Sequence, residues 1–143
     1  MRHAERGQTT VFFTLILTGL ILLTAVAIEV GRIVYARGEV GKAADAAALA
    51  AAARINVPLY RETGQLVFLD DVYSNAQEVA TLNASYLAKR SIPVTVTDIA
   101  VDESTLMVRV SVSANLSALI PAALPFNGQY SVTGYAKARM DGQ

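Results

Sequence analysis

Residues 7–53 read GQTTVFFTLILTGLILLTAVAIEVGRIVYARGEVGKAADAAALAAAA, and this stretch decides the fold. Its first 22 residues, Gly7 to Ile28, carry no charge. At 1.5 Å rise per residue they extend about 33 Å as a helix, enough to cross the hydrocarbon core of a bilayer. The pattern then continues without a break. At about 100° per residue, Val30, Ile33, Val40, Ala44, Ala47, Ala48 and Ala51 share one side, while Arg32, Tyr35, Glu39 and Lys42 form a stripe on the other. Glu39 and Lys42, three residues apart, can pair for roughly 0.2–0.5 kcal/mol. The spacing predicts one continuous helix over residues 8–56, lipid-crossing in its first half and amphipathic in its second.

Past Val40 the contact face is nearly all alanine, which offers little bulk to a core but lets a neighbouring helix come close. Gly31, Gly38 and Gly41 each lower helix propensity by about 1 kcal/mol relative to alanine. Small residues at that density point to helix packing, with a hinge at the membrane boundary as the alternative. Arg37 falls inside the apolar arc and Glu29 at the membrane edge, so each either finds a partner or reaches to water along its own stem. Asp45 interrupts the alanine run. Glu29, Gly31, Arg32, Arg37, Gly38, Gly41 and Asp45 are therefore the candidate packing and assembly residues.

Working outward, residues 1–7 form a short cationic head, with Arg2 and Arg6 against Glu5. That asymmetry places the N-terminus in the cytoplasm and the rest of the chain beyond a single span. A basic head followed by an apolar run and Ala25-Val26-Ala27 also fits a cleavable signal peptide. Against that reading, the helical pattern runs straight through the would-be cleavage point.

Val57-Pro58 should end the helix, because the residue before proline avoids the α region. Residues 56–64 then read as a linker, and 57–143 as a small separate domain. Leu66–Leu69 is a short strand candidate. Ser74 or Asn75 can cap a helix running to about Arg90, with Glu78 completing a capping box. Its apolar positions are Val79, Leu82, Tyr86 and Leu87, and Lys89 and Arg90 suit its C-terminal dipole. Ile92–Val101 is β-branched, and its apolar phase changes between Val96 and Ile99, which implies a bulge near Asp98 or a strand shorter than the run. Leu106–Ala114 alternates, with Leu106, Val108, Val110 and Val112 inward and Met107, Arg109, Ser111 and Ser113 outward. Residues 116–126, broken by Pro121 and Pro125, suit a helical turn and loop, and Asn127-Gly128 a turn. Tyr130–Arg139 supplies a last strand with Tyr130, Val132, Gly134, Ala136 and Ala138 on one face. The expected architecture is α+β: the long N-terminal helix, then one helix packed on a roughly four-stranded sheet in the order β-α-β-β-β.

The composition excludes several functions. Twelve Lys and Arg balance twelve Asp and Glu, so no polyanion-binding surface of the kind nucleic acid needs is indicated. There is no cysteine, and the one histidine, His3, sits in the cationic head. Cysteine nucleophiles, thiolate metal sites and Ser-His-Asp triads are thereby ruled out, and no phosphate-binding glycine loop is present. Asp70-Asp71 and Asp102-Glu103 read as solvated turn formers. No cofactor, metal or catalytic residue is expected, and the chain reads as a non-enzyme.

The order of residues resembles a known family. Arg6-Gly7-Gln8-Thr9-Thr10-Val11, the apolar run, Glu29-Val30-Gly31-Arg32, Tyr35-Ala36-Arg37 and Lys42-Ala43-Ala44-Asp45-Ala46-Ala47-Ala48-Leu49-Ala50 are similar to the N-terminal region of TadG-like and TadE-like proteins of bacterial tight-adherence (Tad/Flp) pilus systems. The resemblance implies a minor pilin or pilus-assembly protein in the inner membrane. Its domain would be extracytoplasmic, and its partners other pilin or assembly subunits or a second copy of itself. Prepilins of this system are cut after a glycine and carry a glutamate five residues later. Gly7 stands in the place of that glycine and Phe12 in the place of the glutamate, a departure that favours the uncut, TadG-like side of the family. The alternative function is a secreted or membrane-anchored ligand-binding module with no role in a filament.

Overall fold

The computed structural model describes residues 3–119 and 128–140. Helix α1 runs His3–Ala52, followed by α2 (Val57–Thr63), α3 (Val72–Asn83), α4 (Ser85–Ala88), β1 (Val94–Asp102), β2 (Met107–Ser117) and β3 (Gln129–Arg139). The architecture is α+β, with an antiparallel sheet in the order β1-β2-β3. The chain divides into two compact units, Met1–Val34 and Tyr35–Gln143, with the boundary inside α1.

In the first unit α1 presents its large apolar side chains outward all round, from Val11, Phe12 and Phe13 through Leu20, Ile21, Leu22 and Leu23 to Val26 and Ile28. Its polar groups are satisfied within the helix. The hydroxyls of Thr14, Thr18 and Thr24 donate to the carbonyls four residues back, on Thr10, Thr14 and Leu20, at 2.8–2.9 Å. A surface apolar on every side, with its hydroxyls bonded to its own backbone, is what a hydrocarbon environment requires. By length and composition α1 is long and apolar enough to cross a membrane.

In the second unit the remainder of α1 is part of a core. Ala36, Val40, Ala43, Ala44, Ala47, Ala48 and Ala51 are buried together with Val108, Val110, Val112, Ala114, Val132, Ala136 and Ala138 of the sheet. The inner face of β3 is built from small residues so that the helix can sit close. At Gly134 a Cβ would lie 2.9 Å from the carbonyl oxygen of Val40 and 3.0 Å from the nitrogen of Gly41. The face expected to begin at Val30 and Ile33 begins instead at Ala36: Val30 is exposed and Ile33 half-buried.

The strands follow the predicted alternation. Val108, Val110 and Val112 are buried, as are Val132, Gly134, Ala136 and Ala138. The register of β1 against β2 shifts between Val96 and Asp98, so that Val94 and Val96 before the bulge and Ile99 and Val101 after it face valine or alanine partners. Two details differ from the alternation. Leu106, expected inward, lies outside β2 at φ 52° and is partly exposed, and Ser111, expected outward, is buried. The β1–β2 turn is held by the Asp102 carboxylate, which accepts from Ser104 N, Ser104 Oγ and Thr105 N. These bonds to Ser104 and Thr105 hold its carboxyl below the usual range.

Four expectations need correction. The sheet has three strands, not four: Leu66–Leu69 makes only an isolated bridge, Ile55 to Phe68, flanked by Asn56 N to Val67 O and Leu69 N to Arg54 O. Its partner is the extended link after α1, which is too short to support a ladder. Residues 56–64 are not a linker. Asn56 Oδ1 accepts from Leu59 N, Pro58 occupies the first turn where no N–H is needed, and Gly64 closes the helix at φ 72°. The main domain helix begins at Val72 rather than after Asn75, and no capping box forms; instead Ser74 Oγ donates back to Asp71 O. That helix also breaks at Ala84, where Asn83 Nδ2 bonds its own Val79 carbonyl. Its buried row is Val72, Ala76, Ala80, Ala84 and Leu87, while Leu82 is 71% exposed. Most of the expected turn at 116–126, and Asn127, lie outside the described residues; Leu116 and Ser117 belong to β2.

The Gly134 contact yields a paired prediction. Gly134→Ala should lower stability by about 1–3 kcal/mol, because the backbone of α1 cannot yield as a side chain could. Gly38→Ala, where a Cβ meets nothing within 4 Å, should raise it by up to about 1 kcal/mol through helix propensity. Urea midpoints of the detergent-solubilised protein measure both signs.

Candidate functional site

The candidate residues on α1 fall into three groups. Glu29 and Arg32 pair with each other, Arg32 Nη1 to Glu29 Oε2 at 3.0 Å, and both are largely shielded. This i, i+3 bond places opposite charges together on one turn of the helix beyond the apolar run. Gly31 in the same unit is exposed, with open space where a Cβ would stand.

In the second unit, Gly38 and Asp45 are exposed and Gly41 is half-buried. Gly38, Lys42, Asp45 and Leu49 follow one another at helical spacing on the side opposite the buried alanines. All four are exposed, and Leu49 is 66% exposed. Arg37, within the apolar arc by spacing, is exposed.

The third group was not legible from the helical pattern. Glu39, assigned to the polar stripe, is 5% exposed and its Oε1 accepts from Lys42 Nζ at 2.6 Å. The pair itself is as expected, but it is one-sided, with a buried carboxylate and an exposed ammonium. A buried carboxylate without a cation or hydrogen-bond donors is costly, so Lys42 is what allows Glu39 its place at the rim of the core. Close by, the rings of Tyr35 and Tyr86 meet edge to face at 4.3 Å, and the Arg90 guanidinium stacks over Tyr86 at 4.5 Å. Arg90 therefore serves this stack rather than a helix terminus. Gln77 was missed as well: its side-chain amide donates to Val94 O and accepts from Val96 N, occupying the outer edge of β1 as another strand would.

Among the described residues no group of three or more His, Cys, Asp or Glu could hold a metal ion, and no buried side-chain polar atom lacks a hydrogen-bond partner. What the arrangement offers is surface for packing: an apolar helix, and beyond it a helix whose small-residue face is buried while its opposite face is open.

Residues 7–54 match the Tad family model, described as "Putative Flp pilus-assembly TadE/G-like". Over that stretch the chain is TadE/G-like. The match covers about a third of the chain, coincides with α1, and joins the helix to a pilus-related role. The family is one of pilus-assembly components, not of enzymes, and the TadE/G-like helix fits a membrane location. Comparisons with curated proteins and with solved structures found no match.

The Glu39–Lys42 pair can be tested within the TadE/G-like segment. Lys42→Met should lower the unfolding temperature by leaving Glu39 buried without its cation. Adding Glu39→Gln to that variant should recover most of the loss. Thermal unfolding of the single and double variants decides it; equal losses would remove the pair from the account.

Proposed function

We propose that this protein is a membrane-anchored, minor pilin-like structural or assembly component of a Tad/Flp-type pilus. Residues 1–7 form its cytoplasmic head, the apolar part of α1 its single inner-membrane span, and the unit from about Tyr35 onward its extracytoplasmic domain. On this reading Gly7 is retained in an uncut anchor, since Phe12 replaces the glutamate that processing calls for.

The observation that carries the proposal is the division of labour around α1. The alanine face from Ala36 to Ala51 is used up inside the chain's own core. The assembly surface is therefore the opposite side, where Gly38 leaves the helix backbone uncovered and Lys42, Asp45 and Leu49 are open to a neighbour. A glycine on an exposed helix face weakens the helix, and a partner helix approaching to backbone distance explains its presence. Gly31 extends the same chemistry toward the membrane, and the Glu29–Arg32 pair lets charge sit there at low cost. The partners are other pilin or pilus-assembly subunits, or a second copy of this chain.

Bulk introduced at the uncovered backbone tests this. Gly31→Leu and Gly38→Leu should each abolish in-cell cross-links to pilus components while leaving the unfolding midpoint within about 1 kcal/mol of the parent. Cross-linking that survives both substitutions would contradict the proposal.

A further inference from the structure

The inner face of the sheet is covered by helix, and the two edges of the sheet are treated differently. The edge at β1 is closed by a bulge at Val96/Asp98 and by the Gln77 amide bonded to Val94 O and Val96 N. Among the described residues β3 has β2 on one side and no strand on the other, and its eleven residues pair with β2 in unbroken register without a bulge or proline. Natural sheets blunt such edges with charge among other devices, and Lys137 and Arg139 stand on this one, so a strand that pairs here must bring the opposite charge.

Charge identifies the user. On the outer face Arg109 stands directly opposite Lys137, and Arg139 lies one step further along β3, opposite Met107. Like charges directly opposed destabilise a sheet. Neither Arg109 nor Lys137 has an acidic side chain within salt-bridge distance among the described residues. The acids nearest in register do not neutralise them: Asp98 is opposite Ser111, and the Asp102 carboxylate is engaged in its own turn. Beside the bases Tyr135 is 71% exposed, and a depression lined by Arg109, Tyr135, Lys137 and the Ala136 backbone opens at this edge.

We infer that the edge of β3 receives an extended acidic segment of a partner protein, added as a fourth strand, with carboxylates on the outer face over Lys137 and Arg109 and an apolar or aromatic side chain against Tyr135. Strand addition supplies affinity through main-chain bonds and register through alternate side chains. A residue of the added strand facing Lys137 would lie about 5 Å away, within reach of its ammonium. The surface is on the far side of the sheet from α1, so this inference stands apart from the role proposed for the helix.

The test uses the full chain in detergent and a synthetic acidic nonapeptide, glutamates alternating with valine and one tyrosine in phase, read by fluorescence anisotropy. The peptide should bind and slow hydrogen exchange at alternate β3 amides. Its affinity should fall about fivefold for each of Arg109→Glu and Lys137→Glu, as expected for exposed ion pairs. A peptide N-methylated at its edge-facing amides should not bind, a result independent of any variant's folding. Equal binding by the N-methylated peptide, or no effect of the charge reversals, would overturn strand addition. Capture by phosphatidylglycerol vesicles in place of the peptide, or self-association abolished by Lys137→Glu, would overturn it in favour of a lipid surface or a second copy.

Discussion

The fold of the second unit depends on a helix backbone lying directly against a strand backbone. At Gly134 there is no room for even one methyl group between β3 and the Val40–Gly41 peptide of α1. Such an approach demands small residues on both sides, and they are there: Gly134, Ala136 and Ala138 on β3, and Ala36, Ala43, Ala44, Ala47, Ala48 and Ala51 on α1. Each alanine buries little area on its own, so the contact derives its strength from closeness and length rather than from bulk. Valine from β2 and Leu87 from α4 supply the larger side chains.

That constraint gives the alanine-rich extension a double meaning. By its small residues alone a run such as Lys42–Ala50 suggests a surface for neighbouring helices. Here the run is the inner wall of the chain's own core, and the side away from it is the one left to others. The same helix thus passes from an all-round apolar surface to one buried side and one open side. A change in α1 on the buried side disturbs the domain, and one on the open side leaves the core in place.

Much of this was legible in the sequence, and the failures share a cause. Alternation in Val108, Val110 and Val112 reported the sheet faces directly, because a period of two has only one competing register, while the phase change between Val96 and Ile99 left a bulge or a shorter strand open until the register decided for the bulge. A helix wheel is less decisive. Glu39 lies at the rim of the arc, and whether it is covered depends on how far the sheet reaches, which no periodicity encodes. The α3 face was misassigned because hydrophobicity gave weight to Leu82, whereas the geometry selected the alanine row Ala76, Ala80 and Ala84. Leu66–Leu69 has a strand's composition without a strand's partner. At the candidate site the spacing separated the alanine side of α1 from the polar one, but nothing in it told that the alanine side would be covered by the chain's own sheet, which leaves Gly38 and Asp45 exposed.

Cysteine labelling tests that assignment most directly, since the chain has no thiol of its own and any introduced one reports alone. With cysteines placed singly at Ala43, Ala44 and Ala47 and at Gly38, Asp45 and Leu49, maleimide reactivity is compared between the purified protein and intact envelopes containing the assembled machinery. The account predicts that the first three are protected in both settings, and that the second three react freely when purified and become protected in the envelope. Protection of 43, 44 and 47 only in the envelope, with 38, 45 and 49 reactive throughout, would show the alanine face to be the assembly surface and contradict the account.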